Sequence, residues 1–107
     1  MIVLYGLMAC DTCRKALKSL RATAPDVQFV DVRAEGVSVE LLARFYDAFG
    51  PALVNSRSTT WRGLSDVERQ SPALELLAQH PTLMKRPVID NNGTLTLGWG
   101  NDVQVLF

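Results

Sequence analysis

Cys10-Asp11-Thr12-Cys13 is the stretch of this chain best equipped for chemistry, and it holds the only two cysteines. They follow the apolar run Ile2-Val3-Leu4-Tyr5-Gly6 and open a segment with helical periodicity. A thiol at a helix N-terminus meets unpaired backbone N–H groups and the positive end of the macrodipole, and both favour thiolate over thiol. Cys10 is therefore the candidate nucleophile. A free cysteine, with a pKa of about 8.5, is only a few per cent ionised at neutral pH, so the position must lower it. Cys13, one helical turn on, can attack a disulfide formed on Cys10 and release the reduced product. The competing reading is that either cysteine is a small buried core residue. Position and partner favour the functional reading for Cys10, whereas for Cys13 the residues alone leave the two readings even. A closed zinc site needs four ligands, and His80 is the only other soft donor, so no metal is expected.

The elements that must position these thiols are legible from pattern. Residues 2–6 read as a strand and 12–22 as a helix with Ala16, Leu17 and Leu20 on its apolar stripe and Arg14, Lys15, Lys18 and Arg21 solvated. Pro25-Asp26 breaks that helix, and the alternation over 27–32 predicts a second strand, which makes a βαβ unit with the CxxC in its first loop. Ser38 is a cap for a helix to Phe49, ended by Gly50-Pro51. A donor-rich stretch over 52–64 follows, with Ser58 or Thr59 able to cap a helix, then short helices over 65–69 and 72–79. Residues 87–90 and 94–97, around Asn91-Asn92-Gly93, read as a hairpin, and Asn101 as the cap of a last helix over 102–106. The order βαβ, helices, ββα predicts an α/β, thioredoxin-like fold with a mixed four-stranded sheet. The expectation is a single domain over 1–107 with residues 38–83 as an all-helical insertion.

Composition bounds the partners. The chain has 107 residues, 48% hydrophobic, and its 11 basic side chains balance 11 acidic ones, which argues against an extended nucleic-acid footprint. No apolar run approaches the ~20 residues of a membrane span, and Cys10 follows too soon for a signal peptide. The expected location is the cytoplasm, where a lone CxxC is more often redox-active or metal-binding than a structural disulfide, and the expected state is a monomer.

Three segments together are similar to the arsenate-reductase-like (ArsC/Spx) family of thioredoxin-fold proteins, most like its YffB-type subgroup. They are Leu4-Tyr5-Gly6-x-x-x-Cys10-Asp11-Thr12-Cys13-Arg14-Lys15-Ala16, the run Leu53-Val54-Asn55-Ser56-Arg57-Ser58-Thr59-Thr60-Trp61-Arg62-x-Leu64, and His80-Pro81-Thr82-Leu83-Met84-Lys85-Arg86-Pro87-Val88. The resemblance implies a reactive Cys10 used on an oxyanion or a disulfide, a cis peptide before Pro87, and Arg86 beside the thiol. Arg86 would hold an anion or a glutathione carboxylate through bidentate hydrogen bonds, and Arg86 and Arg14 are the cations able to lower Cys10. Thr12, Arg14, Asn55, Arg57 and Pro87 complete the candidate substrate-binding set, although a solvated loop explains Asn55, Arg57 and Arg62 equally well. The departures count too. Glutaredoxin-coupled arsenate reductases surround the anion with three arginines. Here Arg86 matches one, Asn55 stands where the second is expected with Arg57 two residues on, and no arginine lies near Leu97-Gly98-Trp99-Gly100.

Four functions compete on this reading. The first is a glutathione-dependent thiol–disulfide reductase with no bound cofactor, glutathione as co-substrate and glutaredoxin as a possible reductant. The second is an arsenate reductase. The third is a non-enzymatic, Spx-like redox sensor that binds RNA polymerase, and the fourth is a binding domain whose chemistry has decayed. Trp61 and Trp99 read as cleft or core residues, and His80 as a structural residue at a helix C-terminus.

Overall fold

A computed structural model describes residues 1–107, which divide into two compact units: residues 1–35 with 86–107, and residues 36–85. The first unit carries the sheet. Its strands are β1 (Ile2–Gly6), β2 (Gln28–Asp31), β3 (Val88–Asn91) and β4 (Thr94–Leu97), in the order β2-β1-β3-β4. β1 runs parallel to β2 and antiparallel to β3, and β4 closes a hairpin on β3, so the sheet is mixed as expected. The fold is α/β and thioredoxin-like. A two-residue hairpin of type I′ needs positive φ at both loop positions, and Asn92 (φ 52°) and Gly93 (φ 99°) supply it. The Asp90 carboxylate accepts from the Gly93 N–H at 2.8 Å and fixes the turn.

Helix α1 (Asp11–Thr23) packs its stripe of Cys13, Ala16, Leu17 and Leu20 on Leu4 and Ile89, which are side by side in the register of β1 and β3. Val27, Phe29, Ala24 and Trp99 extend this core. β2 ends one residue earlier than the polarity pattern predicts, because the Asp31 carboxylate accepts from the N–H groups of Arg33 (2.9 Å) and Ala34 (3.1 Å). Those bonds start a short helix, α2 (Val32–Glu35), that alternation alone does not reveal. At the other end of the unit, α7 (Asn101–Gln104) is capped by Gly100, not by Asn101. Extended Gly100 offers its carbonyl to the N–H groups of Val103 and Gln104, so Asn101 becomes the first helical residue.

The second unit is helical: α3 (Val39–Phe49), α4 (Thr59–Arg62), α5 (Asp66–Arg69) and α6 (Ala73–Gln79), with 3₁₀ turns at Gly50–Leu53 and Pro81–Leu83. Ser38, Ser58 and Ser65 cap α3, α4 and α5 through their hydroxyls, and Ser65 with Glu68 forms a full capping box. The buried residues of this unit are led by Phe45, Leu42, Leu53, Leu77, Leu83 and Met84. No helix of the chain is long and apolar enough to cross a membrane.

Candidate active site

The β1–α1 junction is built so that Cys10 is itself the N-cap of α1, and its side chain makes no capping bond. A serine there would turn its oxygen onto the helix; the larger sulfur remains half-exposed. Its backbone is fixed instead. The Cys10 N–H donates to the Leu7 carbonyl at 3.0 Å, and the Cys10 carbonyl accepts from the Arg14 N–H at 3.0 Å. The loop before it is tied to β2, because the Asp31 carboxylate accepts from the Met8 N–H at 3.3 Å.

Both cysteines are free thiols, and their environments pull them apart. Burial by itself would push the Cys10 thiol up. The Cys13 backbone N–H, the Cys13 thiol, and the hydrogen bond and charge of the Arg86 guanidinium together outweigh it, and the net shift is downward. Cys13 has no solvent exposure, and burial followed by the neighbouring Cys10 sulfur pushes it up to about 11, against a partial offset from the Leu7 backbone. This pairs an accessible, acidified sulfur with a buried one pushed toward the protonated form, the arrangement that disulfide exchange asks of an attacking and a resolving thiol.

Cys13 fits because the strand beneath it has no side chain at one point. A Cβ built on Gly6 would lie 2.5 Å from the Cys13 Sγ and 3.2 Å from its Cβ. Only glycine lets the helix carry a sulfur so close to β1. A glycine closing a strand just before a CxxC is the signal in the sequence that marks this contact. Asp31 left a signal as well: an Asp followed four positions later by Glu35, whose carboxylate accepts from the Asp31 N–H at 3.2 Å.

The Arg86–Pro87 peptide is cis, as the resemblance implies, with Pro87 buried and Arg86 half-buried. The Pro87 carbonyl accepts from the Gly98 N–H at 2.8 Å. Arg86, not Arg14, is the cation that acts on the Cys10 sulfur. Arg14 is held elsewhere, by the Asp11 carboxylate and by the Met8 carbonyl at 3.3 Å. Thr12 is exposed on the first turn of α1. Cys10, Thr12, Cys13, Arg14, Arg86 and Pro87 all belong to the first unit.

Asn55 and Arg57 belong to the second unit. The Asn55 side chain accepts from the Arg57 N–H at 3.1 Å, and its carbonyl accepts from the Ser58 hydroxyl at 2.8 Å, so Asn55 shapes the loop before α4. Exposed Arg57 lines a polar groove of about 410 Å³ with Asn55, Ser56 and Lys85. Trp61 lies under the Arg69 guanidinium, 5.4 Å from the ring centroid, and Trp99 packs on the first unit's core and against Phe107. His80 caps the C-terminus of α6.

A mixed sheet, a thiol pair at the first βα junction and a cis-proline before β3 define a thioredoxin-like protein. Within that class the chain belongs to the ArsC family, whose family model matches residues 5–104. A solved structure described as the YffB (PA3664) protein superimposes with a TM-score of 0.90 at 32% identity, over 99% of this chain and 97% of that one. An uncharacterised protein of Haemophilus influenzae is 40% identical over 104 residues, 92% of this chain and 91% of its own. The global transcriptional regulator Spx 2 of Bacillus anthracis is 25% identical over 108 residues, 95% of this chain and 82% of its own.

Proposed function

We propose that this protein is a cytoplasmic thiol–disulfide reductase that draws its electrons from glutathione. The observation that carries the reading is the opposed shift of two thiols one helical turn apart, with Cys10 lowered and accessible and Cys13 raised and buried. In the first step the Cys10 thiolate attacks one sulfur of a substrate disulfide. A Cys10–substrate disulfide forms, and the other substrate sulfur leaves as a thiolate that takes up a proton. Cys13 then loses its proton and attacks the Cys10 sulfur, which releases the second substrate thiol and leaves Cys10–Cys13 oxidised. Two glutathione thiols reduce that bond and become glutathione disulfide. Glutathione can also resolve the mixed disulfide directly. Arg86 helps to lower the Cys10 thiol and is the cation that would meet a glutathione carboxylate, and the cis-Pro87 loop is the edge on which an extended thiol substrate would lie.

Disulfide is a better match than arsenate for these residues. A tetrahedral dianion calls for several guanidinium groups, and the segment Leu97-Gly98-Trp99-Gly100 offers none. The test is the rate of Cys10 alkylation against pH, read by peptide mass spectrometry, in the chain as it is and in Cys13→Ser. An inflection clearly below that of a free thiol, with ready glutathionylation of Cys10, supports the reading. An inflection at or above the free-thiol value refutes it.

The relation to Spx 2 favours a second reading, in which a reversible Cys10–Cys13 disulfide regulates binding to RNA polymerase. Retention of a polymerase subunit on the immobilised protein, changed by oxidation and without disulfide turnover, would select it.

A further inference from the structure

Helix α1 carries an uneven charge. Its exposed side chains include Arg14, Lys15, Lys18 and Arg21 against one acid, Asp11, in a chain whose charges balance overall. Arg14, Lys18 and Arg21, spaced by four and three, share one face. With Leu17 and Ala22 they line a shallow groove of about 450 Å³. Lys18 has no counter-ion in the structure, and Arg21 reaches only the Val27 carbonyl, at 3.3 Å. The groove begins one turn from Cys10 and runs along the helix away from it.

We propose that this face docks an acidic segment of a protein substrate, and so selects which disulfides Cys10 attacks. The inference rests on the reductase reading above and names its substrate class. From Cys10 to Arg21 the helix rises about 16 Å, a span that about five residues of extended chain cover. Acidic side chains within five positions of the reactive cysteine would therefore reach Arg14, Lys18 and Arg21 in turn. Glutathione, a tripeptide, is too short to span the face, so a polypeptide is the better occupant. A nucleic acid fits poorly because one helix face on a neutral chain must hold off the field of the remaining acids. A bilayer fits poorly because Leu17 is 6% exposed and gives it little apolar surface.

The test uses the reduced full chain and synthetic peptides of one sequence, each with a single cysteine as its thionitrobenzoate mixed disulfide. The five positions on each side of the cysteine are Glu, Gln or Lys, so that the charges reach as far as Lys18 and Arg21. Stopped-flow absorbance follows loss of the peptide–thionitrobenzoate disulfide in a single turnover. At about 20 mM ionic strength the Glu peptide reacts about tenfold faster than the Lys peptide, and the ratio falls to about twofold or less at 0.5 M salt. Lys18→Glu with Arg21→Glu inverts the order, and Lys18→Gln, which keeps the Arg21 contact, reduces it. The limiting iodoacetamide rate of Cys10, taken at a pH above its inflection, is unchanged in each, because that reagent is neutral and the thiol is then fully ionised. Equal rates for the three peptides at low salt would overturn the proposal, as would a Glu preference that survives the double charge reversal. Equal peptide rates together with binding of a single-stranded oligonucleotide or of phosphatidylserine vesicles would assign the face to another partner and also overturn it. Loss of the acidified Cys10 alkylation is a different result, which removes the reductase reading itself.

Discussion

Gly6→Ala tests whether the thiol pair depends on a backbone position with no side chain of its own. The added Cβ would sit 2.5 Å from the Cys13 Sγ, 3.2 Å from its Cβ and 3.3 Å from the Leu4 Cδ2. Ordinary contacts between such atoms are about 3.5–4.0 Å, so the sulfur must move by about 1 Å or more. Cys13 and Leu4 are both fully buried and packed into one core, which leaves no open direction for that movement. Overpacking of this kind costs about 1–3 kcal/mol, and for a chain of this size about 4–8 °C in melting temperature for each kcal/mol. Because Cys13 donates to Cys10 from both its backbone and its thiol, the displacement also raises the Cys10 inflection. A double-mutant cycle isolates the contact. In Gly6→Ala/Cys13→Ala the offending sulfur is gone and the 3.2 Å approach of the two Cβ atoms and the 3.3 Å approach to the Leu4 Cδ2 remain, so the pair is destabilised by less than the sum of its singles, by about 1 kcal/mol or more. Urea denaturation of the four proteins measures this. A neutral Gly6→Ala, or a pair that adds within about 0.3 kcal/mol, would show that the strand does not constrain the thiol, and the argument for Gly6 would fail.

Arg86→Gln removes both the hydrogen bond and the charge that Arg86 brings to Cys10, so the alkylation inflection moves up; Arg86→Lys, which keeps a charge, moves it less. An unchanged inflection in Arg86→Gln would leave the lowering to the helix and to Cys13 alone. Cys13, pushed up to about 11 chiefly by burial, contributes stability that is fully present below the free-thiol range and is lost as pH rises through that range toward 11. Alkaline urea titrations should therefore show up to about 2–3 kcal/mol of lost stability in that window, and Cys13→Ala should flatten it. Asp31→Ala removes the cap of α2 and the tie to Met8, which costs about 1–2 kcal/mol by thermal melting and slows Cys10 alkylation at neutral pH. The Asp31 carboxyl is lowered by the backbone N–H of Ala34 and then, against slight burial, by those of Met8 and Arg33, so its contribution is present above its ordinary range. It is lost as pH falls through the folded value, and Asp31→Asn would abolish that acid dependence.

The parts of this molecule that follow period and punctuation were legible in its sequence. The stripe of Ala16, Leu17 and Leu20, the Ser38 cap and the Asn92-Gly93 turn each carry a local signal that the tertiary structure has no reason to override. What escaped were places where a side chain reaches across the sequence. Asp31 looks like the polar position of an alternating strand, yet its carboxylate bonds forward to Arg33 and Ala34 and back over 23 positions to Met8. Arg14 and Arg86 are both arginines that could face the thiol. The family resemblance placed Arg86 beside the thiol, and what the sequence left open was Arg14, which the structure removes because Asp11 and the Met8 carbonyl already hold it. The cis peptide before Pro87 came from family resemblance, since an X–Pro bond is trans unless context decides otherwise.

On the proposed reductase reading, the two thiols also give the chemistry a direction. A substrate can meet Cys10, which is half-exposed, but not Cys13, which has no exposed surface beneath the first turn of α1. Cys13 can therefore act only on a sulfur already delivered to Cys10. Its raised value favours the protonated form, partly because a Cys10 thiolate charge would oppose a second one beside it. Once Cys10 is in a mixed disulfide that charge is gone, and one of the influences holding the Cys13 proton disappears with it. Formation of the mixed disulfide thus makes the resolving thiol easier to ionise. A Cys10→Ala variant mimics the uncharged state, so its Cys13 should titrate below the value found beside a Cys10 thiolate, read as thiolate absorbance near 240 nm. An equal or higher value would mean that burial alone sets Cys13, and that the order of the two steps rests on access rather than charge.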